Sequence, residues 1–504
     1  MALMTGLDSS AIASATAVTI QQKNQKNAAT KRPEKIVCIG QAQSGKTVEY
    51  NKPILALGNS DDIGVIFGFG SPLHRMAKKL FPKSGNGSKV DTYFMAVPDV
   101  NNAVATVKTV TAEGKASKTF NGYIRFRDLP FEAAADVAGK VATIYQKNPT
   151  VDPRKTDLNT YETTYIPFSI PKDTTATQAV ALLKDELDEQ ISLPAVATVK
   201  NSVLTLTAKW AGADSDFFFD IVNDEDEEIT TAEYGIKFTG ATDEAGAGVG
   251  KITEDALDML DEDFGVTRVV SQYSDELTLN QLNEKFVAFH DALIAQYVIC
   301  YTSVEAPVAS NLPNTYDVSS LITLGTRRRD DNVNVYIVGD YGNLKKLKYS
   351  VRNKLLKSGI SNLVKKADGS YRLMDLCTFY HPIGKENPIF KFDRDITVIA
   401  NCIYNIRDPF ENGEEWKSIV LVADDDITVN PAAKKLKDVK AEVNKQIGLL
   451  GRDGYIANYK EAMKHTKVEI DPTNPNRVNI NPDWDISGVG RIFDIVNAVG
   501  FYFG

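Results

Sequence analysis

One segment of the chain has the residue spacing of a phosphate-binding loop. Gly40-Gln-Ala-Gln-Ser-Gly45-Lys46-Thr47 fits the pattern G-x-x-x-x-G-K-[ST] and follows an apolar run at residues 36–39. In a nucleotidase a helix begins at the lysine, and its first backbone N–H groups hold the phosphates. Here Pro53 follows closely and opens a strand-like run. The sequence therefore predicts a loop between two strands, and a P-loop nucleotidase using Gly40 to Thr47 is kept as an alternative function.

The other reactive side chains are scattered. The four cysteines stand singly in apolar segments, and none of the four histidines has a second histidine or a cysteine at metal-ligand spacing. The run Asp424-Asp-Asp426 lacks the alternating ligands and the glycine of a calcium loop. We therefore predict no catalytic residue, no cofactor and no metal, and we expect that the chain is not an enzyme.

Length, charge and hydropathy narrow the function classes further. The chain has 504 residues, of which 43% are hydrophobic and 24% charged, so several folded domains are expected. Its net charge of −9 argues against wrapping nucleic acid, which requires a basic face. Every long apolar stretch contains polar or charged residues, so no membrane insertion is predicted. Partners are expected to be proteins.

Hydrophobic periodicity divides the chain into segments of different character. Strands and helices alternate at both ends of the middle region, which itself shows the period-2 alternation of strands. We predict an α+β and α/β multidomain fold in which an α/β core contains an inserted β-rich domain, followed by an α+β domain and flanked by extended arms. The predicted parts are an N-terminal arm at 1–30, a discontinuous core at 31–103 and 250–375, an acidic insert at 104–249, a C-terminal domain at 376–487 and a C-terminal arm at 488–504.

Individual elements are predicted within these parts. Helices are expected at residues 72–80, 176–191 and 432–450. Strands are expected at residues 53–57, 93–97, 203–207, 217–222, 266–272, 390–398, 418–422, 467–470 and 477–480.

Two segments have opposite charge. Residues 211–263 contain seventeen Asp or Glu and two Lys. Further on, an apolar stripe at helical spacing is flanked by basic residues, which predicts a charged contact helix. These basic residues include Lys345, Lys346, Lys348, Arg352 and Lys354. Because the two segments have complementary charge, we predict that electrostatics contributes to assembly.

The two ends of the chain have the composition of arms that bind other subunits. Residues 1–30 are poor in large apolar side chains, although Val18 and Ile20 are present. The C-terminal end is a β-prone apolar segment, which would be an aggregation site if its edge stayed free. Its apolar residues are Ile492, Ile495, Val496, Val499, Phe501 and Phe503. Strand addition to a neighbouring subunit would satisfy its backbone, and completion of the chain's own sheet is the alternative.

Short motifs along the chain occur in the order found in one known family. They are Ile36-Val-Cys-Ile-Gly-Gln-Ala42 with Ser44-Gly45, Asn51-Lys-Pro53, Phe67-Gly-Phe-Gly-Ser-Pro-Leu-His-Arg-Met-Ala77, Met95-Ala-Val-Pro-Asp99, Leu204-Thr-Leu-Thr-Ala-Lys-Trp-Ala-Gly212, the strand from Val266 to Tyr273, Leu355-Leu-Lys-Ser-Gly-Ile360, Ala367-Asp-Gly-Ser-Tyr371 and Asn430-Pro431. In this order the chain resembles the contractile tail sheath family, in particular the sheath subunits of Mu-like phages and prophages.

The resemblance implies a structural subunit that forms hexameric rings in a helical sheath. The C-terminal domain would face an inner tail tube, the inserted domain would lie outside, and the arms would link neighbouring subunits. Implied partners are other copies of the chain, the inner tail tube protein, and baseplate and tail terminator proteins. The implied location is a virion tail or tail-like particle assembled in the cytoplasm of a bacterial host. A non-contractile viral assembly protein remains a further alternative.

Overall fold

A computed structural model describes most of the chain and divides it into two compact units. The first unit contains residues 1–32 and 401–504, and the second contains residues 33–400. The structure describes residues 29–30, 32–81, 90–99, 102–127, 163–212, 215, 217–225, 227–248, 252–273, 276–290, 299–301, 335–337, 348–350, 353, 362–365, 371–375 and 392–487.

The centre of the second unit is a mostly parallel sheet. Its strands are β1 (Lys35–Gly40), β2 (Ile54–Leu55), β3 (Asp91–Ala96), β11 (Arg268–Ser271) and β12 (Ile299–Tyr301). They lie in the order β12-β11-β1-β3-β2, with β2 antiparallel to β3 at one edge and the other pairs parallel. The apolar run in β1 is buried because a central parallel strand is covered on both faces.

Helices lie on this sheet because their apolar residues recur every three or four positions. They are α1 (Ser60–Phe67), α2 (Pro72–Leu80), α5 (Glu254–Asp258) and α6 (Glu276–Val287). Ser71 caps α2 by accepting the N–H of His74, and Pro72 occupies the first turn, where a missing N–H costs nothing. Residues of α5 and α6 share a core with one face of β1, β3 and β11.

The strands between β3 and β11 in sequence form two antiparallel sheets. One has the order β10-β4-β8-β7 and the other β6-β5-β9. Their bounds are β4 (Val107–Gly114), β5 (Phe120–Arg127), β6 (Thr163–Ile170), β7 (Ala195–Lys200), β8 (Val203–Ala208), β9 (Phe218–Asn223) and β10 (Ile236–Glu244). Both sheets and the helix α3 (Ala176–Asp188) bury one common apolar core, beside the short helix α4 (Thr231–Tyr234). We call β4 to β10 with α3 and α4 the β module.

The chain enters and leaves the β module at adjacent positions. Val104 and Ala247 form an isolated antiparallel bridge, in which Val104 N–H donates to Ala247 O at 2.9 Å and Ala247 N–H donates to Val104 O at 3.0 Å. Such a mutual pair places the two Cα atoms about 5.5 Å apart. The two ends of the β module are therefore joined to each other before the chain returns to the central sheet.

Inside the β module, an ion pair with a buried arginine and a half-buried aspartate joins neighbouring strands. The guanidinium of Arg125 on β5, 2% exposed, donates through Nε to Asp220 Oδ1 on β9 at 2.6 Å, and through Nη2 to Oδ2. A buried guanidinium requires such a partner because an unpaired charge is costly in an apolar core. The pair adds a cross-strand contact to the β5 and β9 ladder.

A further small sheet of the second unit has the order β13-β15-β14. Its antiparallel strands are β13 (Val335–Ile337), β14 (Asn362–Lys365) and β15 (Tyr371–Asp375).

The first unit contains the later helices and three two-stranded sheets. Helix α7 (Asp393–Asn412) crosses the division between the units, and α8 (Leu436–Arg452) and α9 (Tyr459–His465) follow. The strands are β16 (Val420–Val422), β17 (Ala433–Lys435), β18 (Ile456–Ala457), β19 (Lys467–Ile470), β20 (Val478–Asn481) and β21 (Asp485–Ile486). They pair as β16 with β17, β18 with β21, and β19 with β20.

One predicted strand is wrong. Residues 390–398 contain β-branched side chains that favour a strand, but the structure has α7 over Asp393–Asn412. Ile396, Ala400 and Asn405 are all buried, and this spacing of four or five residues continues well past the end of the predicted strand. Packing along a longer helix therefore overrides the local propensity. Helix α1 was not predicted, although Asn59 is a typical N-cap and accepts the N–H of Asp61.

Candidate functional site

The carboxyl ends of β1, β3 and β11 meet at one edge of the central sheet. In α/β enzymes this edge, beyond the ends of parallel strands, is where ligands bind. In this chain the edge is occupied by side chains and by a segment of the β module. We call the residues Gln41, Ser44, Asp99, Lys209, Ala211 and Gln272 the sheet junction.

Two glutamines pair at the centre of the sheet junction. Gln272 directly follows β11, and its Oε1 accepts the backbone N–H of Gln41 at 2.6 Å, while its Nε2 donates to Gln41 Oε1 at 2.8 Å. Gln41 and Gln272 are 1% and 5% exposed. Because buried carboxamides need partners, this pairing holds the ends of two strands in register.

The Gln41 side chain also connects the sheet to the β module. Its Nε2 donates to Asp99 Oδ1 at 2.7 Å and to the backbone oxygen of Ala211 at 2.8 Å. Ser44 Oγ donates to the other carboxylate oxygen of Asp99 at 3.0 Å. The polar groups of Gln41, Ser44 and Asp99 at this edge of the sheet therefore bind other protein groups.

Lys209 lies where the end of β8 crosses the start of α2. Its Nζ donates to the backbone oxygens of Phe69 and Ile191, each at 2.7 Å, and its own carbonyl accepts the N–H of Ser44 at 2.7 Å. Burial of the ammonium lowers the pKa of Lys209 to about 8. The lysine thus joins three separate segments through backbone atoms.

The backbone at Gly70 lies very close to the backbone at Leu193. Gly70 has φ of +83°, and a Cβ added there would lie 2.0 Å from the backbone oxygen of Leu193. Nearby, the guanidinium of Arg75 lies over the ring of Trp210, 5.3 Å from its centroid. The start of α2 is therefore packed directly against the loop ahead of β7 and the turn after β8.

The loop with phosphate-binding spacing does not form a phosphate cradle. No helix begins at Lys46 or Thr47: residues 41–53 are irregular and lead to β2, as the position of Pro53 predicts. The N–H groups of Gln43, Ser44 and Lys46 donate to the backbone oxygens of Phe67, Lys209 and Gln43. A phosphate would need these donors, and they are already bound to protein oxygens.

The predicted site residues fall almost entirely outside the described residues. This is the case for the arm residues Val18, Ile20, Ile492, Ile495, Val496, Val499, Phe501 and Phe503, and for Lys345, Lys346, Arg352 and Lys354 of the predicted contact helix. Lys348 is described and is exposed to solvent. The charged contact helix and the two arms therefore stay predictions.

Few groups at the described positions are suited to catalysis. In the part of the chain that the structure describes, no three or more metal-ligating side chains come together. Cys38 is fully buried in β1, and this burial raises the pKa of its thiol. Over the same described residues, no helix has the length and apolar character needed to cross a bilayer.

The sheet junction was not predicted from the sequence as a site. The available signal was a polar residue directly after each buried strand, Gln41 after β1 and Gln272 after β11, because parallel strands end at the same edge. The contribution of Lys209 and Ala211 has no such signal, because they reach the junction through the packing of the β module on the sheet.

Comparisons with known proteins give similarities of fold. No protein-family model matches the chain, and no match was found among curated proteins. The crystal structure of the sheath tail protein from Desulfitobacterium hafniense is similar at 12% identity with a TM-score of 0.41, over 93% of this chain and 100% of that one. A chain in the cryo-EM structure of the six-fold symmetrised anti-feeding prophage baseplate is similar at 12% identity with a TM-score of 0.35, over 51% of this chain and 76% of that one.

Proposed function

We propose that this chain is the structural subunit of a contractile tail sheath. Its copies assemble as hexameric rings into a helical six-fold tube around an inner tail tube, and contraction drives that tube through the envelope of a target cell. The observation that carries the proposal is that motifs far apart in sequence, which together resemble the sheath family, meet at the sheet junction. These motifs contribute Gln41 and Ser44, Asp99, Lys209 and Ala211, and Gln272, and a further motif contributes Phe69, whose backbone oxygen accepts from Lys209.

The chemistry of the sheet junction supports a structural role. Its polar groups bind one another, and together they hold the β module on the central sheet. A sheath subunit must transmit force between its parts without changing shape, and a hydrogen-bond network centred on two buried glutamines contributes such rigidity. On this basis we propose no catalytic activity and no cofactor.

The arms are proposed to link neighbouring subunits by strand addition, and the hairpin β19–β20 is a candidate acceptor. Val468 and Ile470 pair with Ile480 and Val478, so the four apolar side chains share one face. Three of these side chains are half-buried, and Ile470 is 40% exposed. A sheet of two strands is marginal by itself and gains stability from additional strands. We propose that residues 491–504 of a neighbouring copy supply one of them.

The proposed partners follow from this role. They are other copies of the chain, the inner tail tube protein, and the baseplate and tail terminator proteins, in a virion tail or tail-like particle assembled in the host cytoplasm. The net charge of −9 fits protein partners better than nucleic acid, and no direct membrane insertion is proposed.

Negative-stain electron microscopy of the purified chain tests the proposal. We expect helical tubes with six-fold symmetry, formed by the chain alone or on co-expression with its tube protein. Closed shells or flat sheets would favour a non-contractile assembly protein instead. Saturable ATP binding by the same preparation, measured by calorimetry, would favour the nucleotidase, and we expect none.

A further inference from the structure

The segment just before the central sheet is held in the first unit by side chains that bind its backbone. Asn405 Oδ1 accepts the N–H of Thr30 at 2.8 Å, and Asn405 Nδ2 donates to the backbone oxygen of Thr30 at 2.6 Å. One carboxamide thus binds both the backbone N–H and the backbone oxygen of Thr30. Asn405 is 3% exposed and Thr30 is half-buried, so these hydrogen bonds are partly shielded from water.

The same arrangement continues one helical turn earlier on α7. Asn401 Oδ1 accepts the N–H of Arg32 at 2.9 Å, and Asn405 Nδ2 also donates to the backbone oxygen of Asn401 at 2.8 Å. Four residues of helix rise about 6 Å, and two residues of extended chain span about 6.6 Å. The spacing of Asn401 and Asn405 therefore suits the N–H groups of Thr30 and Arg32, which these two side chains bind in the order antiparallel to α7.

A third contact binds the segment at Ala29. The N–H of Ala29 donates to Asp453 Oδ2 at 2.8 Å, just after α8 ends. Asp453 therefore adds a carboxylate to the two carboxamides that bind the backbone of this segment.

We propose that Asn401, Asn405 and Asp453 are positioning residues that fix the base of the N-terminal arm on the first unit. The inference rests on the proposed sheath function and adds to it the place from which the arm departs. We call these three residues the backbone clamp. Because the clamp binds backbone groups, the side chain of Thr30 is not required. The backbone at Ala29, Thr30 and Arg32 is accordingly held in place.

Limited trypsin digestion of the full-length, unassembled chain tests the clamp. Cleavage between Lys31 and Arg32 requires the segment to leave the clamp. Each cleavage rate is divided by the rate for a synthetic peptide of the same local sequence. This normalisation removes differences in how fast trypsin cleaves the different sequences. We expect Asn405→Leu to raise this normalised rate about tenfold, because two partly buried hydrogen bonds to Thr30 are lost. Thermal unfolding confirms that each variant is folded.

A matched pair of variants at position 30 keeps the test decisive if Asn405→Leu does not fold. Thr30→Pro removes the N–H that Asn405 binds, whereas Thr30→Ala keeps it. We expect Thr30→Pro to raise the normalised rate about tenfold and Thr30→Ala to leave it within about twofold. Equal rates for wild type and Thr30→Pro, or an equal increase in both variants, would overturn the clamp.

Electron microscopy of the same variants separates the clamp from the sheath proposal. If the released variants fold but fail to form the tubes that wild type forms, the positioning role is supported. If they form normal tubes, the positioning role is wrong and the sheath function stands. If wild type forms no tubes, the sheath function fails, and the trypsin rates still decide whether the clamp exists.

Discussion

At the scale of single residues, the most informative group is the pair Gln41 and Gln272. Each glutamine provides what the other needs, and the remaining amide hydrogens of Gln41 bind Asp99 and Ala211. Neither residue is of a type that sequence analysis treats as a core residue, and their burial results from the way the parallel strands end. The pair therefore joins the ends of β1 and β11 to each other and, through Gln41, to the β module.

Replacing Gln41 by leucine is expected to destabilise the protein. Gln41→Leu leaves the carboxamide of Gln272 and the oxygen of Ala211 with fewer partners in a buried site. We expect the free energy of unfolding in urea to fall by about 1 to 3 kcal/mol. The control is Gln190→Leu, because Gln190 is an exposed glutamine of the same unit. This substitution should change the free energy of unfolding by less than about 0.5 kcal/mol. An equal effect of both substitutions would contradict the structural role of the pair.

Lys209 is expected to make stability depend on pH. Its pKa in the folded chain is about 8, below the value of about 10.4 in an unfolded chain. The charged form is therefore disfavoured by folding. Between these two pH values the unfolded state binds a proton that the folded state does not, so stability rises with pH.

The measurement compares wild type with Lys209→Met between pH 7 and pH 10. The free energy of unfolding of wild type should increase relative to the variant over this range, on the order of 1 kcal/mol after allowance for partial exposure of the ammonium. Taking the difference between the two proteins cancels the titration of groups that they share. A difference that stays constant or falls with pH would show that Lys209 is not held in a desolvated site.

At the scale of elements, the start of α2 has a glycine for a reason that can be tested. Gly70 has a positive φ, and the backbone oxygen of Leu193 lies where a Cβ at this position would be. Gly45 also has a positive φ, of +77°, but no atom lies within 4 Å of the position of its added Cβ. We expect Gly45→Ala to cost about 1 kcal/mol of stability from the backbone conformation alone. Gly70→Ala should cost clearly more, because the contact with Leu193 must also move. Similar losses in thermal denaturation would contradict the close approach.

Several regular elements could be predicted from periodicity, and the wrong prediction and the missed site have physical causes. The pattern at residues 72–80 has a capping serine, a first-turn proline and an apolar stripe, and α2 spans these residues. The predicted strand at 467–470 is likewise found as β19. At residues 390–398 the local preference for a strand is overridden by packing that continues to Asn412. The sheet junction depends on contacts between segments distant in sequence, which periodicity does not encode.

At the scale of the whole molecule, charge is expected to influence assembly. Residues 211–263 are strongly acidic, and the segment that contains Lys345, Lys346 and Lys354 is basic. Exposed pairs contribute about 0 to 1 kcal/mol each and are screened over about 8 Å at physiological ionic strength. We expect the yield of sedimentable polymer to fall as NaCl is raised. A yield independent of salt would remove the electrostatic contribution.

The C-terminal arm gives a second prediction at this scale. Deleting residues 491–504 should leave a folded monomer that forms no sheaths, because the proposed link between copies is lost and the described buried residues all precede residue 488. Circular dichroism checks the fold and electron microscopy checks assembly. The matched control replaces Asp494 by asparagine within the full-length arm, which keeps its length and apolar residues. Normal tubes from the deletion variant would remove the case for this arm.

The bridge between Val104 and Ala247 makes the β module exchangeable. Because the chain leaves and rejoins the central sheet at two paired residues, a turn of two residues could replace everything between them without displacing β3 or β11. Gln41 would then face water, which can satisfy its amide. Different domains could be grafted at this point, by evolution or in the laboratory, while the strands of the central sheet keep their pairing. In the proposed sheath, such grafts would be displayed in a regular array at every copy of the chain.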